Sequence, residues 1–454
     1  MAVVTWDGSS STAYSTAANW DTGSVPGDGD DVVIPDTSSI NACNVDSNDA
    51  CNSLTVLTNG EIGSDAGAQL AILGEADGTG VTTDGYAVNI DGSITDNGGT
   101  SLDLDMRTQA TTLIDIVPTS GSIRNLRINH ASFIGTFLGD TSISGTLTIT
   151  AGELKSAGSN SLTVTGDCIV EGTLTGNASA ISIGSLRVDG TYSATSGTTI
   201  ITSERSNGRA IDIVGTYTHN SGTLEIRTPA DTDLRCPSSS SLNNLTINHA
   251  SCIARPTGDN KPPIGGDLTI TAGTFNTLDS DGGSSHALTV TGDASVTGTL
   301  TGNASAISLG SLTIESGGTY SATSGTTTIT KTSATAGHSG QPSAIEVKSG
   351  GTFTNNDGTV LLSSSLDQDL EFDGTGNMHH LTINKSDNDV IHSSNLTIEG
   401  DLSITLATAH AFRPNTGSRT LTVTGDVTIV EGKVGDVTNY TGAMSFGSLT
   451  IESG

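Results

Sequence analysis

The sequence predicts an all-β protein, a single-stranded parallel β-helix (β-solenoid) with an N-terminal cap that contains tryptophan. Three observations support this fold class: long internal repeats, short strand-like segments, and few large side chains. Only 33% of the 454 residues are hydrophobic and 3% are aromatic. Such a chain cannot fill a wide core, whereas stacked coils need only a narrow one.

The repetition consists of segments that return in the same order along the chain. Leu-Thr-Val-Thr-Gly-Asp begins at Leu162, Leu288 and Leu421, which are 126 and 133 residues apart. The ten residues from Thr173 are identical to the ten from Thr299. Self-similarity at a long period is typical of solenoids and arrays, so it decides the fold class before any local pattern does.

The N-terminal segment, residues 1–52, differs from the rest because it holds both tryptophans, Trp6 and Trp20. We interpret it as a cap or attachment segment whose indoles cover the open end of the first coil and prevent edge-to-edge strand pairing. Residues 53–85 then form the first coils of the solenoid.

Three super-repeats follow, residues 86–209, 210–343 and 344–454. The third is incomplete, because its last residues, ending in Gly454, match the segment that ends in Gly317 in the second copy. Since a solenoid needs a closed end, we expect the natural protein to be longer or its far end to be covered by another subunit.

Within each super-repeat, short units such as Leu-Thr-Ile-Thr and Leu-Thr-Val-Thr alternate apolar with β-branched polar residues, and Gly, Asn, Asp or Ser turns separate them. Coils of about 20 residues stacked at the roughly 4.8 Å strand spacing predict a rod on the order of 100 Å long.

The segments around the tryptophans, Trp6-Asp7-Gly8 and Asn19-Trp20-Asp21, lead into Gly/Thr-rich coils. In its repeats and in this Trp-rich N-terminal segment, the chain resembles phage-encoded fibre and spike β-helix proteins and autotransporter-like β-solenoid adhesins. The resemblance implies a parallel β-helix, a role in attachment or particle architecture, and assembly as a homotrimer.

The charge balance limits the partners. With 17 basic and 48 acidic residues the net charge is −31, which argues against binding to nucleic acid or to an anionic membrane surface. The sequence has no transmembrane run, so we expect no membrane insertion, and its start has no secretory signal pattern. We therefore expect a virion location, with an extracellular or cell-surface location as the alternative.

One acidic turn in the cap is a candidate calcium site. Asp28, Asp30 and Asp31 alternate with or follow Gly27 and Gly29, and carboxylate oxygens are the ligands that Ca²⁺ prefers. An unliganded polar turn is the interpretation that we favour, and the sequence predicts no other cofactor.

The five cysteines do not form a Cys-x-x-Cys motif. Cys43 and Cys51 flank a turn in the cap, where either a disulfide or two reduced thiols fits the spacing. The other three occupy repeat positions that hold apolar residues in other copies, which predicts small core side chains. The matched positions are Cys168 with Ala294 and Val427, Cys236 with Phe372, and Cys252 with Phe133.

The histidines also lack a metal-binding pattern. His130 and His249 share a repeat position with Lys385, which predicts a position that tolerates an exposed polar side chain. His379-His380 is an adjacent pair at a position where the second copy has Asn243-Asn244, and this suits a turn.

The best enzymatic candidate is a run of four alternating carboxylates. A strand would place them on one face about 6.6 Å apart, near the separation used by inverting glycosidases. These residues are Asp367, Asp369, Glu371 and Asp373. A solvated acidic face is the alternative that we favour, because the second copy keeps only two of the four acids, Asp231 and Asp233, and has Arg235 and Pro237 in place of the others.

The sequence therefore predicts a structural protein without catalytic or metal-binding residues. We expect a phage tail or head fibre, spike or decoration protein that contacts other virion proteins at its N-terminal end and a host-surface glycan or protein receptor elsewhere. The alternatives are a secreted bacterial adhesin or surface-layer protein, and a polysaccharide-degrading tailspike.

Overall fold

A computed structural model describes residues 2–78, 85–95, 101–237, 239–257, 263–280, 282–333, 342–415, 418–435 and 441–452. The end of the repeat match at Gly454 lies outside these residues. The chain divides into two compact units, Met1–Gly222 and Thr223–Gly454.

The first unit contains one 3₁₀ helix, Ala17–Asn19, and short strands. These strands are β1 (Val3–Thr5), β2 (Asp31–Ile34), β3 (Cys43–Val45), β4 (Asp49–Cys51), β5 (Ser53–Val56), β6 (Glu61–Ser64), β7 (Leu70–Ile72), β8 (Tyr86–Ile90), β9 (Ser93–Ile94), β10 (Ser101–Met106), β11 (Thr111–Ile116), β12 (Ser122–Phe137), β13 (Thr141–Ile143), β14 (Leu147–Ser156), β15 (Leu162–Val170), β16 (Thr173–Thr175), β17 (Ile181–Val188), β18 (Thr191–Ser193), β19 (Thr198–Ile201), β20 (Arg209–Ile213) and β21 (Thr216–Thr218).

The second unit has the same character. Its strands are β22 (Thr223–Ile226), β23 (Asp231–Arg235), β24 (Asn244–Pro256), β25 (Leu268–Asn276), β26 (Leu288–Thr289), β27 (Asp293–Val296), β28 (Thr299–Thr301), β29 (Ile307–Leu309), β30 (Ser311–Ile314), β31 (Thr319–Ser321), β32 (Thr326–Ile329), β33 (Ser343–Val347), β34 (Thr352–Thr354), β35 (Thr359–Leu362), β36 (Gln368–Phe372), β37 (His380–Lys385), β38 (Val390–His392), β39 (Leu396–Ile398), β40 (Leu402–Leu406), β41 (Ala411–Pro414), β42 (Leu421–Glu431), β43 (Lys433–Val434) and β44 (Met444–Ile451).

Strand pairing confirms the predicted fold class. In the described ranges of each unit, the strand ladders are parallel, and each strand pairs with one from the next coil along the chain. Antiparallel contacts are isolated bridges, such as Trp6 with Trp20. Both units are therefore parallel β-solenoids.

The core of the first unit consists of aliphatic columns, because equivalent side chains of successive coils lie in register. One column runs through Leu126, Leu147, Cys168, Leu186 and Ile211, and all five side chains are buried. The steps from Leu126 to Leu147 and from Leu147 to Cys168 are 21 residues each, in agreement with the predicted coil length. A thin column of this kind needs no large side chains.

The second unit repeats this construction. Its buried column begins with Leu245, Leu268, Ala294 and Leu312, which pair in register from coil to coil. A second column contains aromatic side chains, since Leu300 pairs with Tyr320 and Tyr320 pairs with Phe353, whose ring lies 5.4 Å from that of Tyr320. Residues at equivalent positions of successive coils therefore stack on one another in the core.

The N-terminal cap is confirmed as a tryptophan-containing cluster. The Trp6 and Trp20 rings meet edge to face at 4.9 Å, and Tyr14 packs against Trp20 at 4.8 Å. All three rings are buried, and each indole N–H donates to a backbone carbonyl, that of Asn41 or Tyr14. Parallel stacking already begins within residues 1–52, because β1 pairs with β2 and β2 pairs with β5.

The repeated hexapeptide Leu-Thr-Val-Thr-Gly-Asp has a physical explanation. Its Leu and Val side chains point inward, as in Leu288 and Val290, which are 4% and 1% exposed. Its glycine faces the preceding coil so closely that a Cβ on Gly292 would lie 2.6 Å from the carbonyl oxygen of Gly266. Its aspartate, Asp293, accepts a hydrogen bond from the Ser311 hydroxyl of the next coil at 2.8 Å.

Asp293 belongs to what we call the corner ladder, a series of aspartate and asparagine side chains that each accept a hydrogen bond from a group of the following coil. In the second unit the Asp267 N–H donates to Asn244 Oδ1 at 2.9 Å, and the Asp293 N–H donates to Asp267 Oδ1 at 2.8 Å. The last super-repeat continues the pattern with Asp401 and Asp426, whose N–H donates to Asp401 Oδ1 at 2.9 Å. The corner ladder therefore satisfies backbone donors at the point where each coil turns.

Candidate functional site

A concave polar surface lies on the first unit, over the outer face of β4, β7, β10 and β12. Side chains of a strand alternate between its two faces. The outward row across these strands is Ala50, Ala71, Asp105 and Arg127, which pair in register. Two alanines followed by longer side chains produce a low floor that rises toward Arg127.

Two adjoining cavities, which we call together the alanine groove, lie along this row. The larger has a volume of about 600 Å³, and its polar lining includes Asp28, Asn48, Asp49, Gln69, Arg107 and Arg127. The smaller has a volume of about 180 Å³ and is lined by Gln69, Asp103, Asn125, Arg127, Thr146 and Thr148, together with two leucines. Gln69 and Arg127 border both cavities, so the two lie side by side.

Ion pairs fix the wall of the alanine groove. Asp105 is fully buried, and Arg107 Nε donates to its Oδ2 at 2.8 Å. Asp103 receives two parallel hydrogen bonds from Arg124, at 2.9 and 2.8 Å. A bidentate pair of this kind is geometrically specific, so these charges hold the wall in place.

The asparagine in the wall is held equally firmly. Asn125 Nδ2 donates to Asp103 Oδ1 at 3.0 Å, and Asn125 Oδ1 accepts the N–H of Thr146 at 2.9 Å. The preformed wall thus presents amide, hydroxyl and guanidinium groups without having to reorganise.

Other groups of the alanine groove remain available to a ligand. Arg127 is exposed, and its guanidinium contacts Thr150 Oγ1 at 3.4 Å without a carboxylate within 4 Å among the described residues. The side chain of Gln69 is half-buried and makes no hydrogen bond within the described part of the chain. Arg127 and Gln69 therefore offer both donors and an acceptor toward the cavity.

The acidic turn of the cap does not gather its carboxylates. Asp30 Oδ2 accepts the N–H of Gly27 at 2.9 Å and so closes its own turn. Asp31 is buried, and its Oδ1 accepts hydrogen bonds from Asn52 and Ser53 at 2.7 Å each. Asp28 is exposed. Across the described residues, no group of three His, Cys, Asp or Glu side chains is arranged to hold a metal ion.

The acidic run of the third super-repeat differs from the expected solvated face. Asp367 and Asp373 are exposed and flank β36, in agreement with that prediction. The prediction is wrong for Asp369 and Glu371, which are 1% and 2% exposed. Asp369 Oδ2 accepts the hydroxyl of Ser393, on the next coil, at 2.6 Å, so this carboxylate joins coils.

The structure confirms the core assignment of Cys168, Cys236 and Cys252, which are fully buried. Burial raises the pKa of the Cys168 and Cys236 thiols to about 12. Cys43 and Cys51 are also buried and are free thiols on different strands, β3 and β4. Burial also raises the pKa of the Cys43 and Cys51 thiols. Thiols with raised pKa values are poor nucleophiles and poor metal ligands, so none of these four marks a reactive site.

The position shared by His130, His249 and Lys385 is not uniformly exposed. His130 and His249 are half-buried, whereas Lys385 is 5% exposed, so the prediction is wrong for the lysine. The Lys385 amine is stabilised by donating to the carbonyl oxygens of Leu366 and Asp389, at 2.5 and 3.2 Å. Burial lowers the pKa of Lys385 to about 8, against the opposing effect of nearby aspartates.

The adjacent histidines stack on each other with ring centroids 4.3 Å apart. His380 begins β37, and its Nδ1 accepts the N–H of Asp401 at 2.9 Å. His379 lies 3.4 Å from Asp357. The pair therefore lies where a coil turns into a strand, as predicted, and His380 takes the place of an asparagine in the corner ladder.

Sequence reasoning did not find the alanine groove. Its lining comes from coils that are far apart along the chain, from Asp28 to Thr148, and it contains no motif. The one available signal was the pair of alanines at outward strand positions, Ala50 and Ala71, which only the register brings side by side.

The described part of the chain contains no helix that is long and apolar enough to cross a membrane. No family model, curated protein or solved structure matched the chain in the three comparisons.

Proposed function

We propose that this protein is a structural component of a phage virion, a tail or head fibre, spike or decoration protein that serves in attachment. The observation that carries the proposal is the construction of both units from in-register apolar columns under a strongly acidic exterior. Parallel ladders and stacked side chains give a stiff scaffold, and a net charge of −31 keeps such scaffolds from adhering to one another.

The proposed function needs no catalysis. The acidic run of the third super-repeat is consistent with this proposal, because the side chains of Asp369 and Glu371 are 1% and 2% exposed. A glycosidase pair requires two carboxyl groups that both reach the substrate. We further propose that the N-terminal end contacts other virion proteins and that the protein assembles as a homotrimer.

Immunogold labelling tests the location. Antibodies raised against the purified chain are applied to phage particles and to cell envelopes from the same culture. We expect label on the particles. Label confined to the cell envelope contradicts the virion assignment and supports a secreted adhesin or surface-layer protein.

Two further measurements test the remaining parts. Sedimentation of the purified protein is expected to give three times the chain mass of 45.7 kDa.

A polysaccharide-cleavage assay tests for enzyme activity. Incubation of the protein with capsular and lipopolysaccharide preparations is expected to release no reducing ends. Release by the wild-type protein but not by an Asp367→Asn, Asp369→Asn double variant would establish a tailspike instead.

A further inference from the structure

We propose that the alanine groove of the first unit binds a short oligosaccharide of mainly neutral sugars that carries a single carboxylate. This inference deepens the proposed attachment function by naming the ligand class of one site. It rests on the shape of the groove, on an exposed arginine without an acidic partner, and on the distribution of charge along the groove.

The dimensions suit a small polar ligand. Binding sites for small molecules have volumes of about 300–1,000 Å³, and the larger cavity of about 600 Å³ lies within that range. The floor row from Ala50 to Arg127 crosses three strand spacings, or roughly 14 Å. An extended ligand of a few sugar units fits along this row.

The end of the alanine groove at Arg127 is positively charged and selects a carboxylate. Most described arginines pair with an acidic side chain, as Arg107 does with Asp105 and Arg187 with Asp189. Arg127 has no such partner within 4 Å among the described residues, yet it borders both cavities. A guanidinium binds a carboxylate through two parallel hydrogen bonds, and this interaction is available at Arg127.

The opposite end selects neutral hydroxyls. Asp28 and Asp49 border the larger cavity near the cap, and carboxylates accept hydrogen bonds from hydroxyl groups. The Gln69 amide lies between the two ends, and the Thr148 hydroxyl lies one coil beyond Arg127. A polyanion would be repelled by Asp28 and Asp49 and by the acidic surface as a whole, so one carboxylate at the Arg127 end is the pattern that fits.

Calorimetric titration of the full chain tests this inference. The probes are bacterial-type tri- and tetrasaccharides with no carboxylate, with one terminal uronate, and with a uronate on every sugar. We expect the singly charged probes to bind at least ten-fold more tightly than either other class. Equal affinity for all three classes, or no binding at millimolar concentration, overturns the proposal.

Variants locate the site. Arg127→Gln is expected to reduce affinity for the singly charged probe about ten-fold and to leave the weak binding of the neutral probe unchanged. The matched control is Arg187→Gln, because Arg187 lies in the same outward row two coils beyond Thr148, outside the groove lining. An equal effect of the two variants contradicts the assignment.

Adhesion to host cells separates this inference from the proposed function. If wild-type protein attaches to cells and Arg127→Gln attaches equally well, the groove is not the receptor site, while the attachment function stands. If the singly charged probe binds but the protein attaches to no host cell, the groove stands and the attachment function fails.

Discussion

At the scale of single residues, burial decides the chemistry of the cysteine thiols. Cys168 occupies the same column position as Ala294 and Val427, since each pairs in register with a leucine of the preceding coil. The column accepts any small apolar side chain, so the thiol is there for its size. Desolvation then raises its pKa and removes its reactivity.

The thiols give a direct test of this packing. All five cysteines are buried. We expect essentially no reaction of the native protein with a thiol reagent such as dithionitrobenzoate at pH 8. After unfolding in guanidinium without reductant, five thiols per chain should react. A count of three would show that Cys43 and Cys51 are bonded and would contradict the structure.

Lys385 predicts a pH dependence of stability. Its pKa is about 8 in the folded protein and 10.5 in an exposed chain. Between pH 8 and 10.5 the Lys385 amine binds more protons in the unfolded chain than in the folded protein. The contribution of Lys385 to the free energy of unfolding therefore rises as the pH increases over this range. We expect wild-type protein to gain about 1–2 kcal/mol in the free energy of unfolding over a Lys385→Met variant across this range.

Urea unfolding at pH 8, 9 and 10 measures this difference. Lys348→Met is the matched control, since the hydrogen bonds that Lys348 donates to the Glu315 carboxylate raise the pKa of Lys348 above its usual 10.5. The stabilising contribution of Lys348 is therefore fully present through the whole range and is lost only at higher pH. A parallel pH response of the two variants would falsify the account of Lys385.

At the scale of elements, the repeated hexapeptide is explained by what each of its residues contacts. The two apolar residues fill adjoining positions of the core, and the aspartate bonds the next coil. The glycine is required by close approach of two backbones, as at Gly166, where a Cβ would lie 2.6 Å from the carbonyl oxygen of Gly145. The hexapeptide is therefore a stacking element and not a binding motif.

Substitution of a ladder glycine tests this explanation. In Gly292→Ala the new methyl group would meet the Gly266 carbonyl at 2.6 Å, and neither backbone can move without disturbing the stack. We expect a loss of about 1–3 kcal/mol in the free energy of unfolding, as for overpacked cores. Gly283→Ala is the control, because nothing lies within 4 Å of its added Cβ. Similar stability of the two variants in chemical denaturation would refute close stacking.

At the scale of the whole molecule, the dominant feature is charge. A net charge of −31 makes the folded chain repel itself, and this repulsion opposes compaction. Many of the described arginines form ion pairs with a neighbouring aspartate or glutamate. Each of these pairs neutralises one carboxylate locally, and the remaining carboxylates still repel one another. Stability should therefore depend on ionic strength.

We expect 0.5 M sodium chloride to raise the melting temperature by about 2–4 °C at pH 7, because screening reduces like-charge repulsion over distances beyond a few ångströms. Scanning calorimetry at low and high salt measures the shift. At pH 4.2, near the isoelectric point, the shift should disappear. A fall in melting temperature with salt at pH 7 would mean that local ion pairs outweigh the general repulsion.

Sequence alone was sufficient for the fold class, the tryptophan cap and the core position of Cys168. Each of these depends on information that repeats or is local. Copies of one segment must stack alike, so their residue types reveal which positions face the core, as Cys168, Ala294 and Val427 did.

Only the tertiary structure decided the burial of Asp369, Glu371 and Lys385 and the presence of the alanine groove. An alternating pattern tells which side of a strand a residue occupies, but not what the neighbouring coils place over that side. Gln69 and Arg127 are 58 residues apart along the chain and border the same cavity because coil register brings their strands together. That register depends on loop lengths and backbone contacts summed over several coils, and no single segment of sequence contains it.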